Sequence, residues 1–337
     1  MTFFTAVIIM IDVMEKSAAT IKDIARISGY GVGTVSRVLN GSPLVRDETR
    51  KRIMAVARKL NYRPNKVAKM LVTGRFSQST IAILLPKITH RFSMEIVAGI
   101  YSRLNELGYN LLVFNIGKKR EEVFEHIRYS HFSGLIVLLN PLRPEEKSML
   151  KAENAHFVYL DFHDRNENSI FFDNHLGGGY AAAYLEEKGC KRVVFIGDLA
   201  KTVQREERVE GFKSGLRERG MDLIDELYIP IDEKESYRVT RDLITRRRID
   251  GIFFYSDDLA LGGLKAKRDL GSDIRIIGYD DIQAAGYVGL STVRQDSNVL
   301  GRLGAEAIVE IVKGEKLRAE DLPIYKCLKP QLVDRGS

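Results

Sequence analysis

Histidine and cysteine are the residues that most often reveal metal or nucleophile chemistry in a sequence. Here their spacing argues against both. The chain has 337 residues with six His and two Cys. His126 and His131 lie five positions apart, so they would not share one face of a helix, and Cys190 and Cys327 are too distant in sequence to form a metal-binding pair. We therefore expect no metal site, and so few cysteines fit a reducing cytoplasm.

Two groups of glycines resemble cofactor-binding loops but lack the right context. Gly29, Gly31 and Gly33 lie between short helical patterns, whereas a nucleotide-binding fingerprint follows a strand. The run 177–179 does follow a strand pattern, but without the dinucleotide spacing, so we expect it to open a helix. Phosphate-loop, zinc-protease and nucleophile-elbow motifs do not occur in the sequence. We therefore expect a protein that is not an enzyme and uses no cofactor.

Positive charge is concentrated in the N-terminal part of the chain. Residues 1–80 contain 14 Lys and Arg against 5 Asp and Glu, whereas the other 257 residues contain 38 against 40. This asymmetry favours a polyanionic partner for the N-terminal part, although charged runs are often only solvated surface. No apolar run reaches the roughly 18–20 residues that a membrane span needs, so we expect no membrane partner.

The apolar segment 1–14 has no basic start and no cleavage site, which argues against a signal peptide. A short strand, a disordered tail and a true translation start at Met14 all remain open. We interpret residues 1–19 as an N-terminal extension without a function of its own.

Residues 20–64 have the pattern of three short helices. The segment Thr20–Asp23 predicts a capping box at the start of the first helix, and Gly29 predicts its end. Apolar residues then recur at helical spacing in two further segments, first at Val35, Val38 and Leu39 and then at Ile53, Val56, Ala57 and Leu60. Two short helices joined by about three residues, with a supporting third helix, are typical of a helix-turn-helix unit.

Beyond residue 79, apolar runs alternate with helical patterns. The runs predict strands at Ile81–Leu85, Leu111–Ile116, Leu135–Leu139, Phe157–Leu160, Val193–Ile196, Gly251–Tyr255 and Ile274–Gly278. This alternation is typical of an α/β fold whose parallel sheets are covered by helices on both faces. Two such sheets would form two lobes, with a ligand cleft at the carboxyl ends of their strands.

Two long segments resemble the DNA-binding head of the LacI/GalR family of bacterial transcription regulators. They are TIKDIARISGYGVGTVSRVLNG at 20–41 and VRDETRKRIMAVARKLNYRPNKVAKML at 45–71. Further segments, among them SIFFDNHLGGGYAAAYLEEKGCKRVVFIGD, IRIIGYDDI and QLVDRGS, resemble the effector-binding domain of the same family, which is similar to type I periplasmic binding proteins. The heptad tail that tetramerises some members is missing, so we expect a homodimer.

The resemblance implies that the second helix enters the major groove of DNA. Arg37 would donate to O6 and N7 of guanine, a contact worth about 1–3 kcal/mol of discrimination. Thr34 and Ser36 suit phosphate or sugar contacts, and Val32 suits a thymine methyl group. The full set of expected DNA-binding residues is Thr20, Val32, Thr34, Ser36, Arg37, Asn40, Tyr62, Asn65, Ala68 and Leu71.

The resemblance also divides the chain. Residues 65–79 correspond to the hinge helix and linker, where Ala68 would allow close helix contact and Leu71 would insert into the minor groove. The alternative is that the apolar residues there only cover the domain boundary. Residues 80–337 form the effector-binding and dimerisation domain. We assign about 80–174 and 296–322 to the first lobe, and about 175–295 and 323–337 to the second. Arg46 replaces a common family N-cap, so we expect Asp47 to cap the third helix.

The effector-site residues that the resemblance implies lie at strand ends and helix starts: Phe92, Ser93, Asp161, Arg208, Asp257 and Asp280. Carboxylates and a guanidinium beside an aromatic ring suit a polyhydroxylated ligand, because each can make paired hydrogen bonds to hydroxyl groups. The alternative is that some of them are helix caps or salt bridges between the lobes.

The resulting prediction is a cytoplasmic, sequence-specific DNA-binding regulator. The favoured interpretation is a repressor of carbohydrate-utilisation genes. A sugar effector would release this repressor from its palindromic operator. The alternatives are a corepressor-dependent repressor or an activator that senses a nucleobase or another metabolite. A pure solute-binding protein is a further class, for which removal of residues 1–72 would cause no loss of function.

Overall fold

The computed structural model describes residues 20–39, 44–60, 80–86, 90–117, 119–314 and 323–337. The chain divides into a small unit, Met1–Gly74, and a large unit, Arg75–Ser337. The predicted N-terminal extension, the hinge segment and the expected DNA contacts Asn40, Tyr62, Asn65, Ala68 and Leu71 lie outside the described residues. Within the described ranges, no helix is long and apolar enough to cross a membrane.

The small unit contains three helices, α1 (Ile21–Ser28), α2 (Val32–Leu39) and α3 (Asp47–Lys59). The predicted capping box is confirmed: the Asp23 amide donates to Thr20 Oγ1 at 3.3 Å, and the Thr20 amide donates to the Asp23 carboxylate at 2.9 Å. Gly29 ends α1 in the left-handed conformation with φ 77°. The small apolar core consists of Ile24, Ala25, Val35, Val38, Ile53 and Ala57.

The prediction that Asp47 caps the third helix is wrong. Arg46 is the N-cap residue, its side chain makes no capping hydrogen bond, and Asp47 is the first residue of α3. A carboxylate in the first turn still interacts favourably with the positive end of the helix dipole.

The large unit alternates strands and helices over its whole length. In chain order the elements are β1 (Thr80–Leu85), α4 (Arg91–Glu106), β2 (Asn110–Asn115), α5 (Arg120–Tyr129), β3 (Gly134–Leu138), α6 (Pro144–Ala152), β4 (His156–Leu160), β5 (Ser169–Phe172), α7 (Asn174–Glu187), β6 (Arg192–Asp198), α8 (Val203–Glu218), β7 (Asp222–Ile229), α9 (Glu233–Arg246), β8 (Gly251–Phe254), α10 (Asp257–Asp269), β9 (Arg275–Asp280), α11 (Gln283–Val288), β10 (Ser291–Arg294), α12 (Ser297–Lys313), β11 (Tyr325–Leu328) and β12 (Gln331–Val333).

These strands form two six-stranded sheets, and each sheet is the centre of one lobe. The first sheet has the order β11-β5-β4-β3-β1-β2 and is parallel throughout. The second has the order β12-β10-β9-β8-β6-β7, and only its edge strand β12 runs antiparallel. The central strands β1, β3 and β8 are buried at every residue, as parallel strands covered on both faces require.

The predicted division into lobes is wrong at the C-terminal end. Residues 323–337 were expected in the second lobe, but β11 pairs with β5 at the edge of the first sheet, with Tyr325 opposite Ser169 and Leu328 opposite Phe172. Only β12, which follows two residues later, joins the second sheet through β10. The chain therefore crosses between the lobes at 329–330.

Helices α7 and α8 pack with their backbones in close approach because glycines face each other there. A Cβ on Gly178 would lie 2.1 Å from the Arg208 carbonyl oxygen, and a Cβ on Gly211 would lie 1.9 Å from the His175 carbonyl oxygen. The glycine run 177–179 lies in the first turns of α7, so the expectation that it opens a helix is confirmed. This packing fixes the position of Arg208 on α8.

Candidate DNA-binding surface and effector site

Helix α2 presents a mixed surface outside the core of the small unit. Val35 and Val38 are buried, whereas Val32 is 46% exposed and Arg37 is exposed. Thr34 and Ser36 are half-buried. Val32 and Arg37 thus lie away from the two buried valines, whereas Thr34 and Ser36 lie at the borders of the buried face.

The small unit also carries a surplus of basic residues. Between residues 20 and 60 there are nine Lys and Arg and three Asp and Glu. Thr20, the remaining expected contact among the described residues, is the N-cap of α1, and its hydroxyl donates to the Asp23 carboxylate at 2.7 Å. A basic three-helix unit with an exposed second helix is the shape of a major-groove reader.

In the large unit, Arg208 is the centre of a buried polar cluster that we call the interlobe cluster. The cluster consists of Asp161 from the first lobe and Arg208 and Asp280 from the second. Arg208 Nη1 lies 3.3 Å from Asp280 Oδ1 and donates to the Tyr255 carbonyl oxygen at 2.8 Å. Arg208 Nε donates to Asn174 Oδ1 at 2.8 Å.

The same guanidinium lies against two aromatic rings. Its central carbon is 3.7 Å from the ring centroid of Tyr279 and 4.7 Å from that of Tyr255. Burial lowers the pKa of Arg208, but Asp280, the two tyrosines and Asp161 outweigh burial and raise it. Arg208 therefore stays positively charged inside the molecule.

Asp280 is the last residue of strand β9, and one of its carboxylate oxygens accepts a hydrogen bond. Gln295 Nε2 donates to Asp280 Oδ1 at 3.0 Å. Burial raises the pKa of Asp280 to about 7, although the charge of Arg208 and the hydrogen bond from Gln295 both lower it. The backbone at Asp280 has φ 103°, which is unusual for a residue with a side chain.

Asp161 lies directly after β4 and differs from the other carboxylates in the site. It is 1% exposed, and neither oxygen of its carboxylate has a hydrogen-bond partner. Burial, together with the charges of Asp280 and Glu207, raises its pKa to about 7 against the opposing charge of Arg208. A buried acceptor without a donor is costly. A ligand that donates a hydrogen bond to Asp161 would therefore remove this cost and gain binding free energy.

The other three expected effector residues have different surroundings. Asp257 accepts from Thr292 Oγ1 at 2.8 Å and from the Ile282 amide at 3.0 Å, both in the second lobe. Phe92 packs in the main apolar core, and the buried Ser93 Oγ has no hydrogen-bond partner. In the described part of the chain, no hydrogen bond or ion pair joins these three residues to the interlobe cluster.

Several polar contacts close the two lobes on each other around the cluster. The side-chain amide of Gln204 on α8 donates to the carbonyl oxygens of Leu139 and Asp161 in the first lobe. The Arg91 guanidinium bonds to Asp258 and Glu233. The described residues thus show the lobes in contact at the carboxyl ends of their strands.

Sequence reasoning missed the residues that surround the charged groups: Asn174, Gln204, Tyr255, Tyr279 and Gln295. A signal was available for two of them. Gln204 lies one helical turn before Arg208, on the same face of α8, and Tyr279 immediately precedes Asp280. Asn174 and Gln295 are single polar residues that no spacing distinguishes.

A basic helix-turn-helix unit joined to a two-lobed α/β unit with a buried polar cluster between the lobes defines a ligand-responsive DNA-binding regulator. Comparison with known proteins agrees with this class. The family model "Bacterial regulatory proteins, lacI family" matches residues 20–65. The model "Periplasmic binding proteins and sugar binding domain of LacI family" matches 78–228, and a periplasmic binding protein-like domain matches 182–337.

The chain is similar to regulators over nearly its whole length. It is 30% identical over 335 residues to the HTH-type transcriptional regulator RegA of Clostridium saccharobutylicum, covering 95% of this chain and 99% of the relative. The HTH-type transcriptional repressor PurR of Vibrio vulnificus is 29% identical, with 95% and 98% covered. The fold matches a lac repressor dimer bound to operator and an anti-inducer with a TM-score of 0.76 at 24% identity, covering 94% and 98%.

This chain therefore belongs to the LacI family of bacterial transcription regulators. The α/β fold, the helix-turn-helix head and the non-enzymatic role that the sequence predicts are confirmed by these relatives.

Proposed function

We propose that this regulator is a repressor that binds a palindromic operator as a homodimer and leaves it when a sugar binds between the lobes. The interlobe cluster carries this proposal: two carboxylates at strand ends and the Arg208 guanidinium on α8 are buried together, and the Asp161 carboxylate among them has no donor. Carboxylates and a guanidinium stacked on tyrosine rings suit the paired hydroxyl groups of a sugar.

Two relatives support a sugar as the effector. The ribose operon repressor of Haemophilus influenzae is 30% identical over 310 residues, covering 88% of this chain and 92% of the relative. A complex of the transcriptional regulator CelR with cellobiose is 26% identical with a TM-score of 0.68, covering 95% and 99%. For this chain we propose Phe92, Ser93 and Asp257 as further residues of the effector site beside the cluster.

On the DNA side, α2 enters the major groove and Arg37 reads a guanine. Thr20, Thr34 and Ser36 contact the backbone, and Val32 contacts a base edge. We also propose Asn40, Tyr62, Asn65, Ala68 and Leu71 as DNA contacts, with 65–79 as the hinge segment. The site of action is the cytoplasm, where the chromosome lies.

The mechanism is a shift between two conformations of the large unit. A ligand that binds the closed lobes more tightly than the open lobes shifts the population toward the closed form. If that form disfavours pairing of the hinge segments over the operator, the ligand lowers DNA affinity, and DNA lowers ligand affinity by the same factor.

The test begins with thermal unfolding of the full chain against neutral sugars, sugar acids, nucleosides and purine bases. A ligand at 100 times its dissociation constant stabilises the protein by about 2.7 kcal/mol, which moves the midpoint visibly. Operator sequences selected with the free protein are then titrated with and without the active compound. Weaker DNA binding with a sugar supports the proposal.

Other outcomes separate the alternatives. A nucleobase that shifts the midpoint and tightens DNA binding would instead make this protein a corepressor-dependent repressor. If selection with the free protein yields no DNA sequence, the result would favour the solute-binding alternative over the proposed function. Asp280→Asn is the companion variant, and it should lose the ligand response while the free protein still binds the selected operator.

A further inference from the structure

When its two carboxylates are ionised, the interlobe cluster contains more negative than positive charge. The charges that act on Asp161 are those of Arg208, Asp280 and Glu207. Glu207 has a partner of its own, because His163 Nε2 lies 2.7 Å from its Oε1. Even with that pair set aside, the two carboxylates of Asp161 and Asp280 face a single guanidinium.

The described hydrogen bonds and the ion pair of Arg208 go to residues other than Asp161. Its Nε bonds to Asn174, and its Nη1 bonds to the Tyr255 carbonyl and lies beside Asp280. Asp161 keeps both carboxylate oxygens unbonded although it is almost fully buried. An ionised carboxylate only accepts hydrogen bonds, so whatever completes this site has to bring donors or positive charge.

We infer that the effector is a sugar without an anionic group, either neutral or carrying an ammonium group, and that the site excludes sugar acids and sugar phosphates. This inference rests on the proposed function, because it takes the space between the lobes as the sensor site. It restricts the charge of the effector: the ligand donates hydrogen bonds to Asp161 and adds no negative charge to the cluster.

The physical reason is the low dielectric of a buried site. A third anion beside Asp161 and Asp280 would be repelled strongly there, whereas a hydroxyl or an ammonium gives the unbonded oxygens their missing donors. A hydroxyl that reaches Asp161 makes a hydrogen bond to the carboxylate, and an ammonium adds the attraction of opposite charges to that bond.

The experiment uses sugars that differ only at carbon 6. One series is D-glucose, 6-amino-6-deoxy-D-glucose and D-glucuronate, and a second is the same set on D-galactose; D-glucose 6-phosphate is added as a second anion. Dissociation constants are measured on the full chain at pH 8 for the wild type, Asp161→Asn and a control, Asp222→Asn. Asp222 is an exposed residue at the start of β7, so its substitution removes a carboxylate that is not buried.

The expected result is that the wild type and the Asp222 control bind the neutral or amino member and do not bind the acid or the phosphate. In Asp161→Asn, the preference for the amine over the acid should fall about tenfold or more. An acid that binds as tightly as its amine, or a preference unchanged in Asp161→Asn, overturns the inference and leaves the proposed function intact. If no sugar of the thermal-unfolding panel and none in either series binds, the sugar effector of the proposed function fails, and this inference fails with it.

Discussion

Replacement of Asp161 by Asn tests the energetics of the site without any ligand. The side chain is 1% exposed and has no donor, and its pKa is raised from 3.8 to about 7, first by burial. In the unfolded chain the carboxyl ionises near its ordinary value, whereas in the folded protein it keeps its proton until about pH 7. Folding stability therefore falls as pH rises from about 4 to 7 and is constant above that range.

The size of this loss follows from the shift itself. About three pKa units at 1.36 kcal/mol per unit correspond to about 4 kcal/mol. An asparagine cannot ionise, so the free energy of unfolding of Asp161→Asn should gain about 4 kcal/mol relative to the wild type between pH 4 and pH 8. The amide contributes an offset that does not depend on pH, and therefore the slope of the difference is the informative quantity.

The assay is urea unfolding at one-unit intervals from pH 4 to 8, followed by circular dichroism because the chain has no Trp. Asp280 has its pKa raised in the same direction and is present in both proteins, so its effect largely cancels in the difference. The free energy of unfolding of the Asp222→Asn control should change with pH in the same way as that of the wild type. A difference between Asp161→Asn and the wild type that does not change with pH would refute the picture of an unpaired buried carboxylate.

Three further predictions concern other parts of the chain. Arg37→Ala should reduce discrimination between operator and scrambled DNA by about 1–3 kcal/mol in competition anisotropy, because a guanine contact is lost. Gln204→Leu should weaken ligand binding by removing the donor that holds the carbonyl oxygen of Asp161 in the other lobe, which calorimetry would measure. Gly211→Ala should lower the free energy of unfolding by about 1–3 kcal/mol, since its Cβ would lie 1.9 Å from the His175 carbonyl oxygen.

Each of these variants has a control of a similar residue type. Lys22→Ala, on the exposed side of α1, should weaken binding to operator and scrambled DNA alike. Gln283→Leu removes an exposed amide that bonds to Tyr287 and should leave ligand affinity unchanged. Gly179→Ala should not destabilise, because the nearest atom to its Cβ is 4.0 Å away. Equal effects of a variant and its control would contradict the corresponding prediction.

Most of the strands that the sequence predicted are buried on both faces; the exception is β2, a partly exposed edge strand within the predicted run Leu111–Ile116. Runs such as Ile81–Leu85 are continuous and apolar because helices cover them on each side, and β1 is buried throughout. The edge strand β7 (Asp222–Ile229) is half-exposed and rich in acidic residues, so its sequence does not have the apolar run of a central strand. Strand β11 is four residues long and mostly exposed, so its sequence pattern does not indicate which sheet it joins. Only its pairing with β5 places it in the first sheet.

The site was predictable only as far as residue type and strand position go. Asp161, Arg208 and Asp280 follow from a resemblance between motifs, but the sequence does not show that Asp161 lacks a donor while Asp257 has two. That difference depends on tertiary neighbours: Thr292 and the Ile282 amide reach Asp257 from the following elements of its own lobe. The Asp161 carboxylate receives no donor although the lobes are in contact, so a ligand would have to supply its partner.

The backbone at Asp161 suggests how closure of the lobes would be linked to the ligand binding that we propose. Asp161 and Leu139 follow neighbouring strands, β4 and β3, and both adopt left-handed conformations, with φ 52° and 67°. Such conformations cost about 1–3 kcal/mol each for residues with side chains and persist only where neighbours enforce them. One amide, that of the Gln204 side chain from the second lobe, donates to the carbonyl oxygens of both residues.

Opening the lobes would remove that amide and release the backbone conformation that holds the Asp161 carboxylate in the cluster. A ligand that donates to Asp161 therefore gains its full affinity only when Gln204 is in place, and this difference between open and closed forms is what a sensor requires.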